Sequence, residues 1–164
     1  MVKVIILRGV SGSGKSTYAK ANYPDAIVLS SDDYWIQLDP FKTYEENFDP
    51  KLLGYAHGWN LKRYINFLAG NLPGKELTLV VDNTNTTIAE IAPYYAVAQA
   101  YLADVEIVTI DVLPAIALKR NTHGVPRLAH AAQVERLYAT NAAFPRYWNH
   151  QILYGDVETI RKGE

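Results

Sequence analysis

The apolar run Val2-Lys3-Val4-Ile5-Ile6-Leu7 leads within two residues into Gly9-Val10-Ser11-Gly12-Ser13-Gly14-Lys15-Ser16. A short β-branched run of this kind predicts a buried strand. The loop after it fits G-x-x-x-x-G-K-[ST] without a mismatch, and a helix is expected over Lys15–Asn22. Glycine tolerates backbone conformations closed to other residues, so consecutive N–H groups of such a loop can turn inward and grip an anion. The positive end of the following helix adds to the same site. A glycine-rich hairpin is the alternative, but the pattern arises by chance in only about one chain of this size in a few hundred, and here it sits between a strand and a helix. Gly9, Ser11, Gly12, Ser13, Gly14, Lys15, Ser16 and Thr17 are therefore the candidate nucleotide-binding residues. In this motif the lysine reaches the β and γ phosphates and the hydroxyl after it ligates Mg²⁺, so ATP and Mg²⁺ are the expected cofactors and Lys15 is expected to be partly exposed.

The rest of the chain alternates in the same way. Strands are expected at Ala26–Ser30, Leu77–Val81, Val105–Ile110 and, more briefly, Ile152–Tyr154. Helices are expected at Lys51–Ala69, ended by Gly70-Asn71-Leu72-Pro73-Gly74, and at Thr87–Leu102, Pro114–Arg120 and Leu128–Ala139. Residues 31–50 read as loop, given Asp39-Pro40, Asn47 and Asp49-Pro50. This alternation predicts an α/β P-loop sandwich of three layers, a parallel sheet with helices on both faces and a helical lid near residues 120–130. With 164 residues it is expected to be a single domain, residues 1–164. Ligands of such sheets gather at the carboxyl ends of the strands, and those ends carry RGVSGSGKST, SSDDYW, DNTNTT and DVLP.

Composition narrows the chemistry. There is no cysteine, which excludes disulfides, thiolate metal sites and cysteine nucleophiles. A net charge of −1 produces no whole-surface field, so a nucleic acid would have to be held by a local patch. No apolar run is long enough to span a membrane, and a cytoplasmic location is expected.

Three segments offer chemistry beside the glycine loop. Asp82 ends the run Leu79-Val80-Val81, where an aspartate can hold the waters around Mg²⁺; its alternative role is to cap the next helix. Asn83 and Asn85 follow in a polar stretch that suits either a substrate contact or a strand-to-helix turn. Asp32 and Asp33 lie side by side after the second strand. If they sit at a strand end, they point in opposite directions and do different work. Phosphoryl transfer to a hydroxyl needs such a carboxylate near the attacking oxygen, although a helix start would hold the same pair. Lys119 to Arg127 packs three basic residues and His123 around a break between helices. That pattern fits a mobile, arginine-bearing lid or a solvated helix end, and His123 alone reads as structural.

Together, GVSGSGKST, SSDDYW, FDPKLLGYAHGWNLKR, VVDNTNTT and RNTHGVP resemble the P-loop kinases related to the 5′-hydroxyl polynucleotide kinases, closest to the branch that includes the kinase domain of the Nedd4-binding proteins. The resemblance runs from Val2 to Tyr138. It implies that Asp32 is the general base and that Asp33 supports the loop and substrate. It implies further that Lys15 and Ser16 hold phosphate and metal, with the lid arginine at Arg120 or Arg127. The strand-three aspartate of the family aligns with Asp82 or Asn83. Where phage polynucleotide kinases place an arginine that holds the acceptor's phosphate, this chain has Trp35. The implied activity is ATP-dependent transfer of the γ-phosphate to a hydroxyl on nucleic acid, foremost a polynucleotide 5′ end. With Trp35 in place of that arginine, Lys42, Lys51, Lys62 and Arg63 would supply the cations for a polynucleotide acceptor, and hydroxymethylated bases in DNA are the nearest rival acceptor, since Trp35 could stack a base. Nucleosides or sugars are a further alternative. A non-transferring ATPase switch is the last, disfavoured by an acceptor-side aspartate where a switch positions water.

Overall fold

The computed structural model describes residues 1–70 and 76–155. Five parallel strands, β1 (Val2–Arg8), β2 (Ile27–Leu29), β3 (Leu77–Asp82), β4 (Asp104–Asp111) and β5 (His150–Tyr154), form one sheet in the order β2-β3-β1-β4-β5. The helices are α1 (Lys15–Asn22), α2 (Asp33–Leu38), α3 (Tyr44–Asn47), α4 (Leu53–Gly70), α5 (Ile88–Ala100), α6 (Pro114–Lys119) and α7 (Arg127–Asn141). None of these helices is long and apolar enough to cross a membrane.

Period-two alternation on the central strand explains the layers. Val4 and Ile6 point to one face, where Tyr64 and Leu68 of α4 and Ile91 and Tyr95 of α5 cover them. Ile5 and Leu7 point to the other, against Tyr18 of α1, Ala117 of α6 and Leu137 of α7. Each fully buried valine, leucine or isoleucine among them contributes about 1.5–3 kcal/mol. Because β3 and β4 lie on opposite sides of β1, the chain crosses in two directions there and opens a crevice at the carboxyl end of β1.

Three expectations are corrected. Residues 31–50 are not a plain loop: they hold α2, α3 and a 3₁₀ turn at Pro50–Leu52. Thr43 and Glu46 form a reciprocal capping box, and Asp49 caps the turn ahead of Pro50. Helices this short need tertiary support. Asn47 provides it, its Nδ2 donating to the carbonyls of Trp35 at 2.7 Å and Asp39 at 3.0 Å. Strand β2 is an edge strand, three residues long, so Ile27 and Val28 are 40% and 41% exposed instead of buried. The long helix begins at Leu53, after the 3₁₀ turn; Gly70 is its last residue, and 71–74 lie outside the described residues.

The last residue of β1, Arg8, is wholly buried. Its Nη1 donates to Thr109 Oγ1 at 3.1 Å and Asn141 Oδ1 at 2.6 Å, its Nη2 to the Leu137 carbonyl at 2.5 Å, and its guanidinium lies 5.1 Å from the centre of the Phe144 ring. Burial lowers its pKa to about 10 against the opposing charges of Asp111 and Glu90. The carbonyl end of α7 is thereby tied to the sheet.

Candidate active site

The glycine loop leaves β1 and enters α1 with Gly12 and Gly14 at φ 80° and 97°. At Gly12 the absence of a side chain also matters sterically, because a Cβ would run into the Ala117 carbonyl at the end of α6. The loop is pinned from the side: Gly9 N donates to Thr84 O at 3.0 Å, and Asn85 Nδ2 to Leu7 O at 2.7 Å. From α7, Gln133 Oε1 accepts from Ser11 N and His130 Nε2 meets Ser11 O, each at 2.9 Å.

Lys15 departs from the expected partial exposure. It is 9% exposed, and its Nζ donates to the carbonyls of Gly9 at 2.9 Å and Val10 at 3.1 Å. Its own loop thus solvates the ammonium; burial pushes its pKa down, while Asp82 and Asp32 oppose that shift. Ser16 Oγ donates to Asp82 Oδ2 at 2.6 Å. A hydroxyl and a carboxylate oxygen in contact are the hard donors that Mg²⁺ selects, so Ser16 and Asp82 fit the ion. The loop borders a cavity of about 800 Å³, within the range of small-ligand sites. Ser11, Gly12, Gly14, Lys15, Ser16 and Thr17 line it, and so do Asp32, Asp33, Asp82 and Asn83. Arg120 to His123 line it as well. Ser13 lies under the loop, fully buried.

The acidic pair sits at a helix start instead of a strand end: Asp32 is the residue before α2 and Asp33 its first residue. The two still do different things. Asp33 Oδ2 accepts from Arg63 Nη1 at 2.8 Å, and that guanidinium lies 4.4 Å from the centre of the Trp59 ring. Asp32 Oδ1 accepts from the Tyr44 hydroxyl at 3.0 Å, and its Oδ2 lies 3.7 Å from His123 Nε2. Burial, then the Asp32 charge, raise the Tyr44 pKa, which keeps its phenol protonated and donating.

Other candidates are placed elsewhere. Trp35 is 1% exposed, packed edge-on against Tyr34 and Phe48 at 5.0 and 5.2 Å between ring centres, so it offers no face to a base. The reason is its place on the inner side of α2. Asn85 is buried at φ 47°, holding Leu7, and does not line the cavity. Asn83 does line it; its Oδ1 accepts from Ser31 N at 2.8 Å, while its buried Nδ2 has no partner among the described residues. Arg127 borders a separate groove between α6 and α7 with Leu118 and Val134, so of the two lid arginines Arg120 alone faces the cavity. Sequence reasoning passed over Tyr44 and set His123 aside. The T-x-x-E capping box marks where Tyr44 starts α3, but only the folded chain brings it to Asp32.

A family model described as an AAA domain matches residues 4–141. Over 132 residues the chain is 33% identical to NEDD4-binding protein 2 of Homo sapiens, an alignment covering 76% of this chain and 7% of that protein. The chain thus spans a small part of that relative's length. Among solved structures, the Mycobacterium tuberculosis APS kinase in complex with AMPPNP and APS superposes with a TM-score of 0.60 at 18% identity, covering 98% of this chain and 94% of that one. A sugar kinase from Janibacter superposes with a TM-score of 0.56 at 13% identity, covering 99% and 92%. At those identities the fold is what is shared. With its P-loop, its parallel five-stranded sheet and the match over residues 4–141, the protein belongs to the AAA-domain family, as a P-loop kinase-like member.

Proposed function

We propose that this protein is an ATP-dependent kinase that phosphorylates a hydroxyl, with Asp32 as general base. The observation that carries this reading is the placement of Asp32 in one cavity with Lys15, Ser16 and Asp82. Bound MgATP would supply the phosphoryl group, the ion held by Ser16 and Asp82 and the phosphates by the amides of Gly12 to Ser16. Lys15 would leave the carbonyls of Gly9 and Val10 for the β and γ phosphates. Asp32 orients the acceptor hydroxyl and takes its proton as the new O–P bond forms and ADP departs. Arg120, on the lid, offsets charge that develops during transfer.

For the acceptor we propose a nucleic-acid hydroxyl, foremost a 5′ end. The motif set that resembles the polynucleotide kinases supports it, with cations from Lys20 on the cavity wall and Lys62 on α4. A second reading, a small hydroxylated molecule, is favoured by the charge of the segment that brings Tyr44 to Asp32. From Asp39 to Lys51 it carries Asp39, Glu45, Glu46 and Asp49 against only Lys42 and Lys51, and Lys42 already lies 3.6 Å from Asp39. Such a segment repels a polyphosphate chain.

The test is incubation of the wild type and Asp32→Asn with γ-labelled ATP. The acceptors are single-stranded 5′-hydroxyl DNA and RNA, hydroxymethyl-base DNA, nucleosides and simple sugars. Label on the oligonucleotides, falling with added salt and lost in Asp32→Asn, is expected. Label on free nucleosides or sugars with no salt dependence would select the second reading. Label on none, with steady ATP hydrolysis, would remove the kinase reading.

A further inference from the structure

Each oxygen of Asp32 faces a side chain from another element. The Tyr44 hydroxyl, from α3, donates to Oδ1 at 3.0 Å. His123, from the segment between α6 and α7, places Nε2 3.7 Å from Oδ2. The two rings also meet, 4.6 Å between centres and tilted by 32°. Nothing in α2 itself positions the Asp32 carboxylate, since its side chain makes no capping bond to that helix.

The two contacts differ in kind. At 3.0 Å the phenol makes a full hydrogen bond to one oxygen; at 3.7 Å the imidazole is beyond hydrogen-bond length and acts through its position beside the other. Oδ1 already accepts from the phenol, and Oδ2, with no hydrogen bond to the imidazole, can accept from an incoming hydroxyl.

We infer that His123 is a positioning residue for Asp32, a lid side chain that, tilted against the Tyr44 ring, holds Oδ2 toward the acceptor and so makes the base competent only when the lid lies over the cavity. The segment that carries Arg120 to the phosphates then also carries the residue that orients the base. Premature transfer to water through an open lid is thereby suppressed. This rests on the reading of Asp32 as general base.

The test uses MgATP with water as acceptor, so it needs no identified substrate, and compares His123→Ala, Asp32→Asn and the double variant. His123→Ala is expected to lower turnover about tenfold, part of the span of a positioned base, with the Michaelis constant for ATP unchanged. In the Asp32→Asn background the same change is expected to have no effect. Added imidazole or the substitution His123→Gln is expected to restore part of the loss. Equal losses from His123→Ala in both backgrounds would overturn the inference while leaving the base in place. A loss that neither imidazole nor glutamine relieves would mark a structural role and overturn it as well. Full activity of Asp32→Asn would remove the base and the inference with it. Independently of turnover, amide hydrogen exchange over residues 121–126 should quicken in Asp32→Ala; unchanged exchange would show that the carboxylate does not hold the lid.

Discussion

At the scale of single residues, the acidic pair shows how one position along a helix separates two jobs. Asp33 has a guanidinium at 2.8 Å on a partly exposed pair, an interaction worth about 0.2–1 kcal/mol. Asp33→Asn should therefore cost little stability and less than tenfold in transfer. Asp32→Asn should reduce transfer about 10²-fold or more and leave ATP affinity near its starting value. Steady-state kinetics with equilibrium ATP binding would show it, and exchanged behaviours would reverse the assignment within the pair. Trp35 gives the opposite lesson. Its type suggested stacking on a base, yet it is among the largest fully buried side chains. Trp35→Ala should lower the unfolding free energy by about 3–5 kcal/mol, read by denaturant titration, and a variant of full stability with a raised acceptor Michaelis constant would contradict this. A tryptophan's side of a six-residue helix cannot be read from a segment too short to show a period.

Among the elements, α7 holds the site from behind. Its first half contacts Ser11 through His130 and Gln133, and its last turn is tied to β1 by Arg8. Arg8→Ala would leave Asn141 Oδ1 and the Leu137 carbonyl without their donor and open a void under Phe144. The expected loss is about 3 kcal/mol, with faster hydrogen exchange in residues 134–141 than in β3. A uniform change across the chain would instead mean that Arg8 does not act through α7. In the sequence Arg8 is only the residue before the glycine loop. That a cation there ends inside the fold depends on Thr109, Leu137 and Asn141, more than a hundred positions away. Elements built on local chemistry were legible by contrast: the strand before the loop, the helix expected from Thr87, which the structure shows capped by Thr87 with Glu90, and the proline that opens α6.

For the whole molecule, the packing of β5 against β4 sets a pH dependence of stability. His150 Nε2 lies 2.8 Å from Thr109 Oγ1 and its ring stacks on Phe144 at 4.0 Å. Burial, then the Arg8 charge, lower its pKa from 6.5 to about 4. Below pH 6.5 the unfolded chain binds a proton that the native chain refuses, so stability falls as pH drops from 6.5 to about 4, by at most about 3 kcal/mol. Thermal melts across that range should show the fall and His150→Gln should flatten it; an unchanged slope would assign it to other groups. What the sequence by itself determined is whatever rests on neighbours along the chain. That covers the phosphate loop with Lys15 and Ser16, the parallel α/β sandwich from alternating apolar runs, and Asp82 at the end of β3. Tertiary structure alone decided the rest: the burial of Lys15 and Trp35, the placing of Arg120 and not Arg127 on the cavity, and the meeting of Asp32 with Tyr44 and His123. Periodicity and capping act over a few residues, whereas these depend on which helix face turns inward and which loops the sheet order brings to one edge. Those are properties of packing, and distance along the chain does not encode them.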